Sequence, residues 1–140
     1  MTINELQDQI ISDFMIFDDW MDRYNFLIDL SKELPIMDSK HKTDQYLIDG
    51  CQSRVWINCE QKDGKLYFSA DSDAIIAKGL IALLVKVLNG QSAEDIYNAD
   101  LYFIDKIGMK DNLTPTRANG LVSMIKQMKM FALAFMNTKQ

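Results

Sequence analysis

Cysteine is scarce in this 140-residue chain: it holds only Cys51 and Cys59. Two are too few for a disulfide framework, and a reducing cytoplasm would keep both as thiols. Histidine is scarcer, with His41 alone, and no C-x-x-C pair occurs. His41, Asp49, Cys51 and Cys59 are the only soft or borderline ligands near one another in sequence, which falls short of what a structural zinc site or an iron–sulfur cluster usually draws on. G-x-S-x-G, H-E-x-x-H and phosphate-binding glycine loops are missing as well, so the common hydrolase and nucleotide-enzyme motifs find no support. The longest apolar stretch, residues 74–88, is interrupted by Lys78 and Lys86. It is shorter than the roughly 20 residues a bilayer demands, which predicts a buried helix rather than a membrane span. Positive charge is in deficit, with 15 Lys and Arg against 20 Asp and Glu, a formal net charge of -5 and a pI of about 4.7. A phosphate backbone is repelled on balance, so nucleic acid is not an expected partner. The opening M-T-I-N-E-L-Q-D-Q has neither the basic start nor the apolar run of a secretory signal, and the expected location is the cytoplasm.

What the chain does have is the composition of a folded domain, 48% hydrophobic and 25% charged. At this length one domain spanning residues 1–140 is expected. Thr2 with Glu5 has the form of a capping box, and Ile3, Leu6, Ile10, Ile11 and Phe14 follow at helical spacing. A second helix is predicted over residues 18–34, ended by Pro35. Residues 37–44 are polar and aperiodic and read as a loop, with residues 46–48 as a short strand before Asp49-Gly50. Residues 54–61 alternate, placing Val55, Ile57 and Cys59 on one face and Arg54, Trp56 and Asn58 on the other. The Asp63-Gly64 turn then leads into a return strand over 65–70. Asp71-Ser72-Asp73 supplies cap chemistry for the apolar helix running to about Asn89, with Gly90 as its stop. Ser92 with Asp95 opens a short helix, residues 100–107 form another, and Thr114-Pro115 starts the last, which continues to about Met136. The expected fold class is α+β, a small antiparallel sheet with helices packed on one face.

Cys51 follows Gly50 in a loop between two predicted strands, flanked by Asp49, Gln52 and Ser53. A loop thiol of this kind is open to a partner, whereas packing as a small hydrophobe is the commoner fate of a free cysteine. Cys59 is in phase with Val55 and Ile57, and packing accounts for it fully. His41 reads as a solvated loop histidine.

The run Gly50-Cys51-Gln52-Ser53 followed by Val55-Trp56-Ile57 resembles the persulfide loop of the SufE sulfur acceptors. Trp20, Tyr24, Leu34 and Pro35 are similar to that family as well, as are Asp71-Ser72-Asp73-Ala74, Lys78-Gly79-Leu80-Ile81-Ala82, and Leu113-Thr114-Pro115 with Arg117 and Gly120-Leu121. These strings follow the family's order across nearly the whole chain. Tyr46 stands where the family commonly has asparagine, and Cys59 where an aliphatic residue is usual.

The resemblance implies the α+β fold of the SufE proteins and of iron–sulfur scaffolds. It implies that Cys51 takes sulfur from the persulfide of a SufS-like cysteine desulfurase, stimulating that enzyme, and passes it to an iron–sulfur assembly scaffold complex. The chain itself would carry no cofactor, the desulfurase would carry pyridoxal phosphate, and the protein would be a transfer partner rather than a stand-alone enzyme. Whether it is a monomer or a homodimer stays open.

Transfer needs a thiolate, and an ordinary thiol is mostly protonated at neutral pH. Gly50, Gln52, Ser53 and Arg117 are the expected supports of the sulfur site. Arg117 is proposed to stabilise the anion, because a cation in the first turn of a helix opposes the helix dipole; pairing with an acidic side chain accounts for it equally. Trp56 packs under the last helix or shields the cysteine. Cys51 is expected to rest against apolar side chains and to swing out when it receives sulfur. Two other functions stay open: a metal or cluster scaffold joining Cys51 and Cys59 with His41 or Asp49, and a desulfurase regulator that carries no sulfur.

Overall fold

The capping box forms as the sequence predicts. In the computed structural model, which describes residues 1–51 and 53–137, helix α1 runs Ile3–Met15, with Thr2 and Glu5 each bonding the other's backbone N–H. Helix α2, Trp20–Ser31, is capped by Asp19, whose side chain accepts from Met21 N. It stops three residues short of Leu34, because residues 32–34 tighten into turns bonded back to Asp29, Leu30 and Ser31. The loop that follows contains single 3-10 turns at Ser39–His41 and Asp44–Tyr46. The short strand expected at 46–48 is a lone bridge between Leu47 and Trp56, with Ile48 N–H donating to Val55 O at 2.9 Å.

Strands β1, Val55–Lys62, and β2, Lys65–Ser72, form the hairpin. Asp63 and Gly64 both have positive φ, 55° and 78°, which is the two-residue turn whose twist matches the strands. β2 extends past Ala70 and pairs at its other edge with β3, Gln91–Ser92, which is too short for alternation to reveal. Val55, Ile57 and Cys59 share one face with Leu66, Phe68 and Ala70, and all six are buried.

That face lies against helix α3, Ile75–Leu88, and helix α6, Pro115–Asn137, whose Phe131 ring meets Phe68 at 6.5 Å. α3 is apolar nearly all round, as a helix at the centre of a core must be. Each of its fully buried Leu and Ile side chains contributes about 1.5–3 kcal/mol. α2 crosses it closely at Gly79, where an added Cβ would stand 2.7 Å from the Leu27 carbonyl oxygen. Helices α4, Ala93–Asn98, and α5, Phe103–Lys106, complete the shell. The expected helix over 100–107 is shortened to α5, closing at Gly108, where φ is 72°.

The segment Asp71-Ser72-Asp73 does not cap α3 as predicted. The N-cap is Ala74, without a side-chain bond. Asp71 and Ser72 accept from the nearby Ser72 and Ala74 N–H groups, and all three polar side chains also reach groups outside the segment. Asp71 sits between Lys42, at 2.9 Å, and Lys78, at 3.4 Å. Asp73 accepts from Arg54 N–H at 3.0 Å, and the Ser72 hydroxyl donates to Arg54 O at 2.8 Å.

Candidate functional site

Two elements meet at Cys51. The chain reaches it through Gly50, whose φ of 87° is strained for any residue with a side chain. That conformation lays the turn against α6, where a Cβ on Gly50 would collide with Ser123 Oγ. Two residues after the thiol comes Ser53, and at Arg54 the chain is tied to the end of β2 by the Asp73 and Ser72 bonds. Gln52, the other expected support, lies outside the described residues.

α6 starts as the Thr-Pro pair predicts: Thr114 Oγ1 accepts from Arg117 N at 3.3 Å, and Pro115 occupies the first helical position. Its first two turns face the cysteine. The Cys51 thiol donates to Gly120 O, with 3.6 Å between Sγ and the oxygen. An added Cβ at Gly120 would stand 3.5 Å from the sulfur, so glycine there leaves room beside it.

The room is a cavity of about 30 Å³, space for a water-sized group. Val55, Ala77, Leu80 and Met124 form its apolar walls, and Cys51, Ser53, Thr116 and Arg117 its polar ones. Three of the expected site residues, Cys51, Ser53 and Arg117, therefore surround one cavity, whereas Gly50 is not part of its lining and packs against Ser123. Gly120, which supplies the acceptor carbonyl, shows in the sequence only as part of a family-like string. Leu80 likewise falls within a family-like string, and Ala77 and Met124 give no sign there beyond helical periodicity.

Cys51 is half-buried, and burial pushes its thiol above the ordinary range. The neutral thiol donating to a helix carbonyl is thus the resting form. Arg117 lies on the same cavity and makes no ion pair with a carboxylate among the described residues. Cys59 sits in the core on β1, where burial, followed by the Glu60 charge, pushes its thiol up to about 12. His41 packs edge-on to Tyr46, 5.1 Å between ring centroids. Trp56, on the sheet face opposite the helices, lies under the Lys42 ammonium at 5.2 Å rather than under α6 or over the thiol. Among the described residues no three His, Cys, Asp or Glu side chains are grouped to hold a metal ion, and no helix is long and apolar enough to cross a membrane.

Comparison with known proteins identifies the family. The family model described as SufE, Fe-S metabolism associated domain, matches residues 8–132. The chain belongs to the SufE family. An uncharacterized SufE-like protein of Rhizobium meliloti (strain 1021) is 40% identical over 127 residues, covering 87% of this chain and 91% of the relative. A second uncharacterized SufE-like protein, from Synechocystis, is 37% identical over 127 residues, covering 91% of this chain and 80% of its own length. The fold resembles the solution structure of a hypothetical protein from Thermus thermophilus, with a TM-score of 0.79, 18% identity and coverage of 95% of this chain and 97% of that one. SufE membership places the chain in iron–sulfur metabolism, and the α+β architecture agrees with the expectation drawn from the sequence.

Proposed function

We propose that this SufE protein is a sulfur acceptor that carries a persulfide on Cys51. The observation that supports it most is the pairing of a half-buried loop thiol with a small, mostly apolar cavity at its side. A persulfide needs access to form and shelter to persist, since water and oxidants consume it. A thiol on a short turn over an apolar recess can supply both.

In the transfer step the Cys51 thiolate attacks the outer sulfur of a donor persulfide. The new S–S bond forms on Cys51 as the donor's S–S bond breaks, and the donor leaves as a thiolate that takes the proton Cys51 gave up. Sulfur and electrons balance without an external oxidant. The donor is a SufS-like, pyridoxal-phosphate cysteine desulfurase, which the acceptor stimulates by removing its persulfide product. An iron–sulfur assembly complex receives the sulfur afterwards.

Burial holds the resting thiol neutral, so the nucleophile forms when the turn opens toward the donor. Arg117, lining the cavity without a carboxylate partner among the described residues, then stabilises the sulfur anion. The test is mass spectrometry after incubation with a cysteine desulfurase and cysteine. A gain of one sulfur atom mapped to the Cys51 peptide is expected, and Cys51→Ser abolishes it. Absence of the adduct in the wild type, or its persistence in Cys51→Ser, refutes the reading.

A further inference from the structure

Helix α6 is unlike the rest of the chain in charge. Between residues 115 and 137 it carries Arg117, Lys126 and Lys129 and no carboxylate, in a protein whose formal net charge is -5. α1 is its opposite, with Glu5, Asp8 and Asp13 and no base. Lys129 is engaged, donating to Ala99 O. Lys126 is exposed and makes no ion pair among the described residues.

Asn119, Val122, Lys126 and Met130 succeed one another at steps of three and four residues, so they stand in one row along the helix. All four are exposed, Val122 at 52% and Met130 at 51%. The buried row, Leu121, Met124, Met128 and Ala132, lies on the other side. A helix packed on a core ordinarily shows solvent a charged face, but this row has one charge set between two large apolar side chains. It is also continuous with a groove of about 510 Å³ between residues 45–50 and α6, walled by Met130, Phe131 and Ile57 and ending at Gly50, the residue before the thiol.

We propose that this row and groove form the docking surface for the sulfur-donating desulfurase, which presents an apolar patch with a carboxylate set into it to meet Lys126. Naming the donor as the partner rests on the acceptor function proposed above; the surface itself rests on α6. Charge selects this occupant over a second copy of the chain. Val122 and Met130 each lie four residues from Lys126, so an antiparallel α6 pair that buries both places Lys126 at the two-fold axis against its own copy. A carboxylate in that position makes a charge-assisted bond instead. A donor seated here also has the Gly50 turn within its footprint.

The probe is the purified pyridoxal-phosphate cysteine desulfurase of the same organism, with affinity measured by calorimetry at low and high salt. Lys126→Glu and Met130→Asp each weaken binding tenfold or more, Lys126→Gln by a smaller factor, and high salt weakens the wild type. Both side chains are exposed, so melting temperatures stay within about 2 °C of the wild type. Persulfidation of Cys51 by the desulfurase at sub-saturating concentration falls in proportion, while persulfidation by glutathione persulfide is unchanged. Cys51→Ser binds as the wild type does. Affinities within twofold of the wild type for both Lys126→Glu and Met130→Asp, no binding by the wild type, or a wild-type dimer in sedimentation that Met130→Asp dissociates would each overturn the proposal. If Cys51 takes sulfur from neither donor while the α6 variants still lose affinity, the docking surface stands and the acceptor reading falls.

Discussion

Replacing Gly50 by alanine probes the geometry that presses the thiol against α6. Two costs add. Holding a side-chain-bearing residue at a φ of 87° costs about 1–2 kcal/mol. The new Cβ also meets Ser123 Oγ, with Ser123 Cβ at 3.2 Å, so the serine must leave its rotamer at about 0.5–1.5 kcal/mol. The sum, roughly 1.5–3.5 kcal/mol, corresponds to a fall in melting temperature of about 5–15 °C for a domain of this size. The chain can avoid part of it by letting the turn lift off the helix, which exposes the sulfur. Urea denaturation followed by circular dichroism reads the first effect, and the rate of Cys51 alkylation by iodoacetamide at fixed pH reads the second. Adding Ser123→Ala recovers the rotamer part, about 0.5–1.5 kcal/mol, and leaves the backbone part. Gly50→Asn costs less than Gly50→Ala, because asparagine tolerates positive φ. A Gly50→Ala protein that melts within 1 °C of the wild type and alkylates at an unchanged rate refutes the account.

Three further expectations concern the two thiols and the crossing of α2 over α3. Because burial raises the Cys51 thiol, its alkylation rate keeps rising with pH beyond the ordinary thiol value of about 8.5, and unfolding in urea shifts that profile back down; a profile centred at or below 8.5 in the native protein contradicts it. At Cys59, pushed up to about 12 by burial, the folded state favours the neutral thiol, so this stabilisation is complete below the unfolded pKa and drains away as pH rises toward 12. Wild type should therefore lose stability relative to Cys59→Val between about pH 7.5 and 10.5 in urea titrations, and equal slopes would count against it. Gly79→Ala should destabilise by about 1–3 kcal/mol by thermal melting even though alanine is the better helix former, since its Cβ meets the Leu27 carbonyl; a stabilised variant would show that α2 and α3 separate freely.

Much of the fold was legible because its signals are local. The Thr2–Glu5 box, the Asp63-Gly64 turn and the alternation of β1 each act within a few residues, and each formed where expected. Asp71 and Asp73 depart from the capping role expected of them because their partners, Lys42 and Arg54 N–H, lie about 20–30 residues away, which no local pattern reports. The same applies to the site. Cys51 and Arg117 stood out by residue type and context, but the carbonyl that accepts from the thiol is 69 residues downstream. Ala77, Leu80 and Met124 became cavity walls only once α3 and α6 packed together.

The bonds at either end of the cysteine turn have a consequence for how far a sulfur atom held on Cys51, as proposed, can travel. Ile48 is fastened to Val55, and Arg54 to Asp73 and Ser72, and Cys51 lies between these two anchored residues. Six Cα steps at about 3.4 Å give a contour near 20 Å; doubled back between fixed ends, it projects no more than roughly 10 Å. On the acceptor function proposed above the carrier is a short-armed one, and any protein exchanging sulfur with it has to bring its own reacting atom almost to the surface of α6.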